Sequence, residues 1–162
     1  MTKNTEVLST VAASGARRWF GVATMGLLGA ILVYIAFTTS PALGWQVFLL
    51  VFGVGAIVLA DATRRATEHV IELTEEGLRS SSGEVIATLD QIAEVKRGMF
   101  DMKPSNGFAI KLKQSRGRRW QPGLWWSLGR RVGIGGVTPG AHSKEMAQML
   151  EALLVQKKTE RD

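Results

Sequence analysis

Apolar and polar positions divide this chain sharply. From Trp19 to Phe37 the sequence WFGVATMGLLGAILVYIAF carries no charge. As a helix rising about 1.5 Å per residue it would reach roughly 28 Å, close to the thickness of a bilayer's hydrocarbon core. Leu43 to Ala60, LGWQVFLLVFGVGAIVLA, is nearly as long, and its one strongly polar residue, Gln46, sits near an end. Thr38-Thr39-Ser40-Pro41-Ala42 leaves room only for a tight turn, and Pro41 cannot continue the first helix. The pattern predicts an antiparallel transmembrane hairpin, 19–61, with spans 19–37 and 43–60, after an N-terminal segment, 1–18.

Trp19 and Trp45 fall where interfacial indoles are expected. Arg17-Arg18 precede the first span, Arg64-Arg65 follow the second, and the turn is uncharged, which predicts cytoplasmic termini on both sides of a multi-pass anchor. The first span is longer than the apolar stretch of a signal peptide, and a second span follows at once. Gly26 and Ala30 on the first helix, and Gly53, Ala56 and Ala60 on the second, form stripes of small residues suited to close packing, within the hairpin or between copies.

Beyond Arg65 the period changes. His69–Leu73, Leu78–Ser80 and Glu84–Leu89 are short runs separated by Thr74-Glu75-Glu76-Gly77 and Ser81-Ser82-Gly83, the pattern of an antiparallel meander. Ile92 and Val95 make a fourth piece. In Phe108–Lys113 large apolar residues alternate with lysines, so one face is expected to be buried. Gln114-Ser115-Arg116-Gly117 reads as a turn, Trp120 to Trp126 as a further extended segment, and Arg131–Gly135 as a closing glycine-rich strand. Met146, Met149, Leu150, Leu153 and Leu154 recur at helical spacing, with Ser143 as the expected N-cap. The domain is expected over 66–157, with a frayed tail at 158–162.

The fold class expected is therefore α+β: a transmembrane hairpin followed by six or seven short antiparallel strands and a C-terminal amphipathic helix. Glu72–Leu78, Leu89-Asp90-Gln91-Ile92 with Val95, and Val132–Gly136 ahead of the last helix resemble bacterial pleckstrin-homology-like membrane proteins, in which a two-helix hairpin leads into such a domain. The resemblance implies a barrel-like sheet capped by the helix, and a bacterial inner-membrane location. Similar domains occur in assembly proteins of photosynthetic complexes, which implies an energy-transducing membrane complex as the setting. Some eukaryotic relatives bind phosphoinositides through basic residues of the first hairpin; here that turn is Glu75-Glu76, a departure from the pattern.

Composition adds two constraints. The hydrophobic fraction of 46% is ordinary, but there is no cysteine, so disulfides, thiolate nucleophiles and thiolate metal sites are excluded. The net charge of +6 suits an anionic partner, and the two spans favour lipid headgroups over nucleic acid.

No catalytic pattern emerges. His69 and His142 are the only histidines and have no ligand spacing. Gly133-Ile134-Gly135-Gly136 lacks the lysine and the strand–helix setting of a phosphate loop, and Glu75-Glu76 and Asp90 with Glu94 read as solvated acids. No enzyme role, cofactor or metal is expected. Arg116, Arg118, Arg119, Arg130 and Arg131, beside Lys111 and Lys113, are interleaved with Trp120, Trp125 and Trp126. That mixture suits contact with a protein partner or with anionic phospholipid, while leaving open whether the tryptophans face solvent or fill the core. The expectation is a non-catalytic accessory or assembly module that contacts other integral membrane proteins. A lipid-surface sensor and a homo-oligomeric scaffold are its rivals.

Overall fold

The computed structural model describes residues 6–39, 41–98 and 104–160. Residues 1–5 of the N-terminal segment, Ser40 of the expected turn, and 161–162 of the expected tail lie outside the described residues.

Two long helices dominate the first half, α1 (Gly15–Thr38) and α2 (Leu43–Ala66), and both are long and apolar enough to cross a membrane. They cross where Gly29 meets Gly53. A Cβ on Gly29 would lie 2.6 Å from the Gly53 carbonyl oxygen, so only glycine allows the backbones this close. Ala36 and Ala60 extend the buried stripe. Gly26 and Ala30, expected on the packing face, are not on it: Gly26 has open space beyond its Cα and Ala30 is exposed. The contact follows 29, 33 and 36 instead, one position off the expected stripe. Near the turn, the Gln46 side chain donates to the Ala36 carbonyl at 3.1 Å, binding the two helices through a polar group in an apolar setting. The Thr38 and Thr39 hydroxyls donate to the carbonyls of Tyr34 and Ile35 at 2.9 and 2.7 Å and close the end of α1.

The helices do not simply precede the sheet. A strand ahead of them, β1 (Val7–Ala12), pairs antiparallel with β2 (Val70–Thr74), the strand after them. The N-terminal segment, read from sequence as separate, is thus the first strand of the folded domain, and the hairpin is an insertion between two paired strands. Meander pairing continues through β3 (Gly77–Ser80) and β4 (Val85–Thr88), giving a four-stranded sheet in the order β1-β2-β3-β4.

A single 3₁₀ turn, Leu89–Gln91, leads into the second sheet, β5 (Ile92–Lys96), β6 (Phe108–Gln121) and β7 (Trp125–Ile134), paired in that order. The turn expected at 114–117 does not occur, and β6 runs through it. Reversal comes at Gln121-Pro122-Gly123-Leu124, where Leu124 N–H donates to Gln121 O at 3.1 Å and Gly123 has φ +79°. Proline and a positive-φ glycine at the two central positions are the chemistry of a type II turn.

The last element, α3 (Gly140–Thr159), starts earlier than expected. Pro139 takes the N-cap position, and Ser143, the expected cap, is buried inside the first turn, its hydroxyl 3.2 Å from that of Thr138. Helix continues through Thr159, into the first two residues of the expected tail. Met146, Ala147 and Leu150 face inward and close one hydrophobic core shared with Val11, Ile71, Leu73, Leu78 and Ile86 of the first sheet and Phe108, Ile110, Val132 and Ile134 of the second. The architecture is therefore three helices and two antiparallel sheets, α+β. The two sheets face a common core, and among the described residues no strand pairing joins one sheet to the other.

Candidate functional site

The long ribbon β6–β7 carries nearly all the basic and aromatic residues singled out above. Its geometry begins with a mismatch in length: β6 has 14 residues where β7 has 10, the excess entering as irregularities between Lys111 and Arg116 and between Arg116 and Arg119. Extra residues on one strand force a bend toward the shorter one. Gly129, at φ +59°, sits on the inside of that bend. The two halves of β7 are brought together, with Gly135 N–H donating to Leu124 O at 2.8 Å and Val137 N–H to Gly123 O at 3.1 Å. Trp126 fills the fold, lying so close over Gly133 that a Cβ there would be 2.4 Å from the indole nitrogen. This close approach explains Gly133, while Gly135 and Gly136 sit at positive φ with the backbones of Gly107 and Gly123 where a Cβ would fall, so the run has a packing reason.

The bend sends the tip of the ribbon back to the helices. A Cβ on Gly123 would touch the side chains of Thr67 and Thr63 at 3.2 and 3.5 Å, in the last turns of α2. Other contacts fasten the same region: Ser14 N–H donates to Val137 O at 2.9 Å, and Arg17 to Thr138 O at 3.3 Å. Arg18 bridges the two helix ends, donating to Arg64 O at 3.1 Å and pairing with Glu68 at 3.3 Å. Arg64 in turn pairs with Asp61 and Glu68, each at 3.1 Å, and Arg65 pairs with Asp61. Three of the four arginines that mark the ends of the apolar helices, Arg18, Arg64 and Arg65, are thus paired with acids, and Arg17 ties the base of the hairpin to the sheet domain through a backbone carbonyl.

The candidate residues separate into distinct environments. Trp125 is core, 2% exposed, and Trp126 is half-buried over Gly133. Arg116 and Arg119 reach across to the first sheet. Arg116 donates to the carbonyls of Ile86 and, at 2.7 Å, of Val85, occupying the free edge of β4. Arg119 pairs with Glu84, which Gln121 also meets at 3.3 Å. These side chains join the two sheets where no strand pairing does. Arg131 is exposed and has a partner of its own.

What remains on the outer face is smaller. Trp120 is the register partner of Trp126, and Leu128 shares the Trp126 face by the period of two, while Arg118 falls inside the irregularity between Arg116 and Arg119, two residues from Trp120. Trp120 is 63% exposed and Leu128 55%. Arg118 and Arg130 have no hydrogen-bond or ion-pair partner among the described residues. Leu128 was not singled out from sequence. Its signal was the alternation Trp126-Ser127-Leu128, which sets two apolar residues on the face opposite the buried Ser127.

A second basic surface lies beside β5 and the end of α3. There a shallow cleft is floored by Leu89, Ile92 and Leu154 and rimmed by Lys113, Lys157 and Lys158, with Lys157 pairing to Asp90 at 3.0 Å. Chemistry-bearing sets are not assembled anywhere among the described residues. His69 is half-buried on the approach to β2, His142 is exposed on α3, and no three His, Asp or Glu side chains converge on a common point. Comparison with protein-family models, curated proteins and solved structures finds no match.

Proposed function

We propose that this protein is a non-catalytic, membrane-anchored interaction module, an accessory or assembly subunit of a larger membrane protein complex. Its sheet domain is of the pleckstrin-homology-like kind and sits on the cytoplasmic face of a bacterial inner membrane, with both termini on that face. One observation carries the reading: the apolar hairpin is inserted between two paired strands of a single sheet, its two bases are bridged by Arg18, and the base of α1 is hydrogen-bonded to Val137 and Thr138 of the sheet domain. A domain held this rigidly on an anchor presents a surface in a fixed orientation, which lowers the ordering cost of docking to a neighbour in the same membrane. The arginines at both helix bases support the cytoplasmic assignment.

The surface that fits a protein partner is the bend end of the ribbon, around Leu128 and Arg130. It lies away from the tip that packs on α2, and it combines exposed apolar area with a cation that has no partner among the described residues. The test is affinity purification of the tagged full chain in mild detergent, with the L128D/R130E double variant alongside. A stoichiometric membrane complex held by the parent chain and lost in the variant, with unfolding temperature unchanged, is the expected result. Recovery of the chain alone, or with lipid only, would overturn the accessory-subunit reading.

A further inference from the structure

Trp120 is the largest exposed side chain outside the two long helices, and its place on the ribbon is specific. The ribbon's tip is packed against Thr63 and Thr67. Thr63 lies three residues past Ala60, where the apolar stretch of α2 ends, or about 4.5 Å along the helix axis. Trp120 lies three residues before Gly123, so its Cα is no more than roughly 10 Å from the tip. The headgroup zone on each side of a bilayer adds roughly 5–8 Å to the hydrocarbon core. If α2 spans, the tip itself therefore stands in the headgroup zone of the leaflet by which the hairpin enters, and Trp120 lies within roughly 10 Å of it.

Its neighbours agree with that position. Arg118 is two residues back along the same strand, exposed, with no partner among the described residues. An indole beside a cation is suited to an anionic headgroup layer, where the ring finds an amphipathic zone and the guanidinium finds phosphate. The core has no use for this ring, since Trp125 fills the interior and Trp126 fills the bend.

We infer that Trp120, with Arg118, is a third membrane contact that seats the tip of the β6–β7 ribbon in the anionic headgroup layer beside the hairpin. A two-helix anchor can tilt in the bilayer and carry the rigidly attached domain with it; a third point off the hairpin axis fixes that tilt and sets the height of Leu128 and Arg130 above the bilayer. The inference rests on the membrane reading of the hairpin, and the test separates the two.

The chain's own tryptophans serve as probes. Full-length protein is reconstituted in vesicles of phosphatidylglycerol and phosphatidylcholine, the latter brominated near the headgroup, and the quenched part of the indole emission is compared among single Trp→Phe variants. Loss of quenchable emission in W120F should be roughly twofold or more that in W125F, and W45F should also lose a quenched component. R118Q should reduce quenching of the Trp120 component, with the unfolding temperature unchanged. If W45F loses a quenched component and W120F loses no more than W125F, the inference is overturned while the hairpin reading stands. If neither W45F nor W120F does, the membrane reading falls and takes this inference with it.

Discussion

Val11 on β1 pairs with Ile71 on β2, both fully buried, across an insertion that contains the whole helical hairpin. The strand made first cannot find its partner until the residues of both helices have been synthesised, because that partner follows them. The sheet and the hairpin are therefore coupled: β1 and β2 enter at the base of α1 and leave at the base of α2, and their pairing holds the helix ends together. Removing buried methyl groups from this joint should cost about 2 kcal/mol for Val11→Ala. Val7→Ala, at an exposed position of the same strand, should change stability by less than about 0.5 kcal/mol. Thermal unfolding in mild detergent, followed by near-ultraviolet circular dichroism, checks both.

At the helix crossing the prediction separates two glycines of one helix. Gly29→Leu drives a side chain into the Gly53 carbonyl and should destabilise the hairpin by about 1–3 kcal/mol or shift the crossing. Gly26→Leu adds its side chain to open space and should be tolerated. Equal sensitivity at the two positions in detergent unfolding would refute this packing.

Among the tryptophans the expected order is steep. Trp125→Ala empties a core site and should cost about 3–5 kcal/mol, enough to unfold a marginal domain. Trp120→Ala should leave the unfolding temperature within a degree or two, because most of its ring is exposed. Gly133→Val should unseat Trp126 and register as a change in its emission.

Arg116 joins the two sheets through carbonyls that β4 has no strand to satisfy. Arg116→Ala should cost about 1–3 kcal/mol and speed amide exchange along β4, since hydrogen bonds from a charged donor to backbone are stronger than neutral ones. Arg119→Ala removes an ion pair whose arginine is mostly in water and should cost less than about 1 kcal/mol. Exchange rates of Val85–Thr88 in the two variants distinguish the roles.

Much of this protein is written in local pattern. The two apolar helices, the strands from β2 to β5 and the amphipathic face of α3 follow from periodicity, because burial on one side imposes a spacing that a single stretch of sequence displays. The type II turn at Pro122-Gly123 was equally legible in its residue types, but the polar run at 114–117 resembled a turn more closely. Polar residues mark both a chain reversal and a solvent-exposed bend, and only the pairing of β6 with β7 tells them apart. Strand β1 escaped notice because six residues ahead of a long apolar helix carry little pattern, and its partner lies some sixty residues on.

The tertiary structure decided what the candidate site is made of. By sequence alone, Arg116 to Arg131 is one basic and aromatic cluster. In the fold, Trp125 turns inward, Arg116 and Arg119 turn to the other sheet, and Arg118, Trp120, Leu128 and Arg130 remain outside. Composition determined the kind of surface this protein could present, since charge and apolar area are sums over residues. Which side chains present it depended on where β6 gains its extra residues and bends, and that is set by partners distant in the chain.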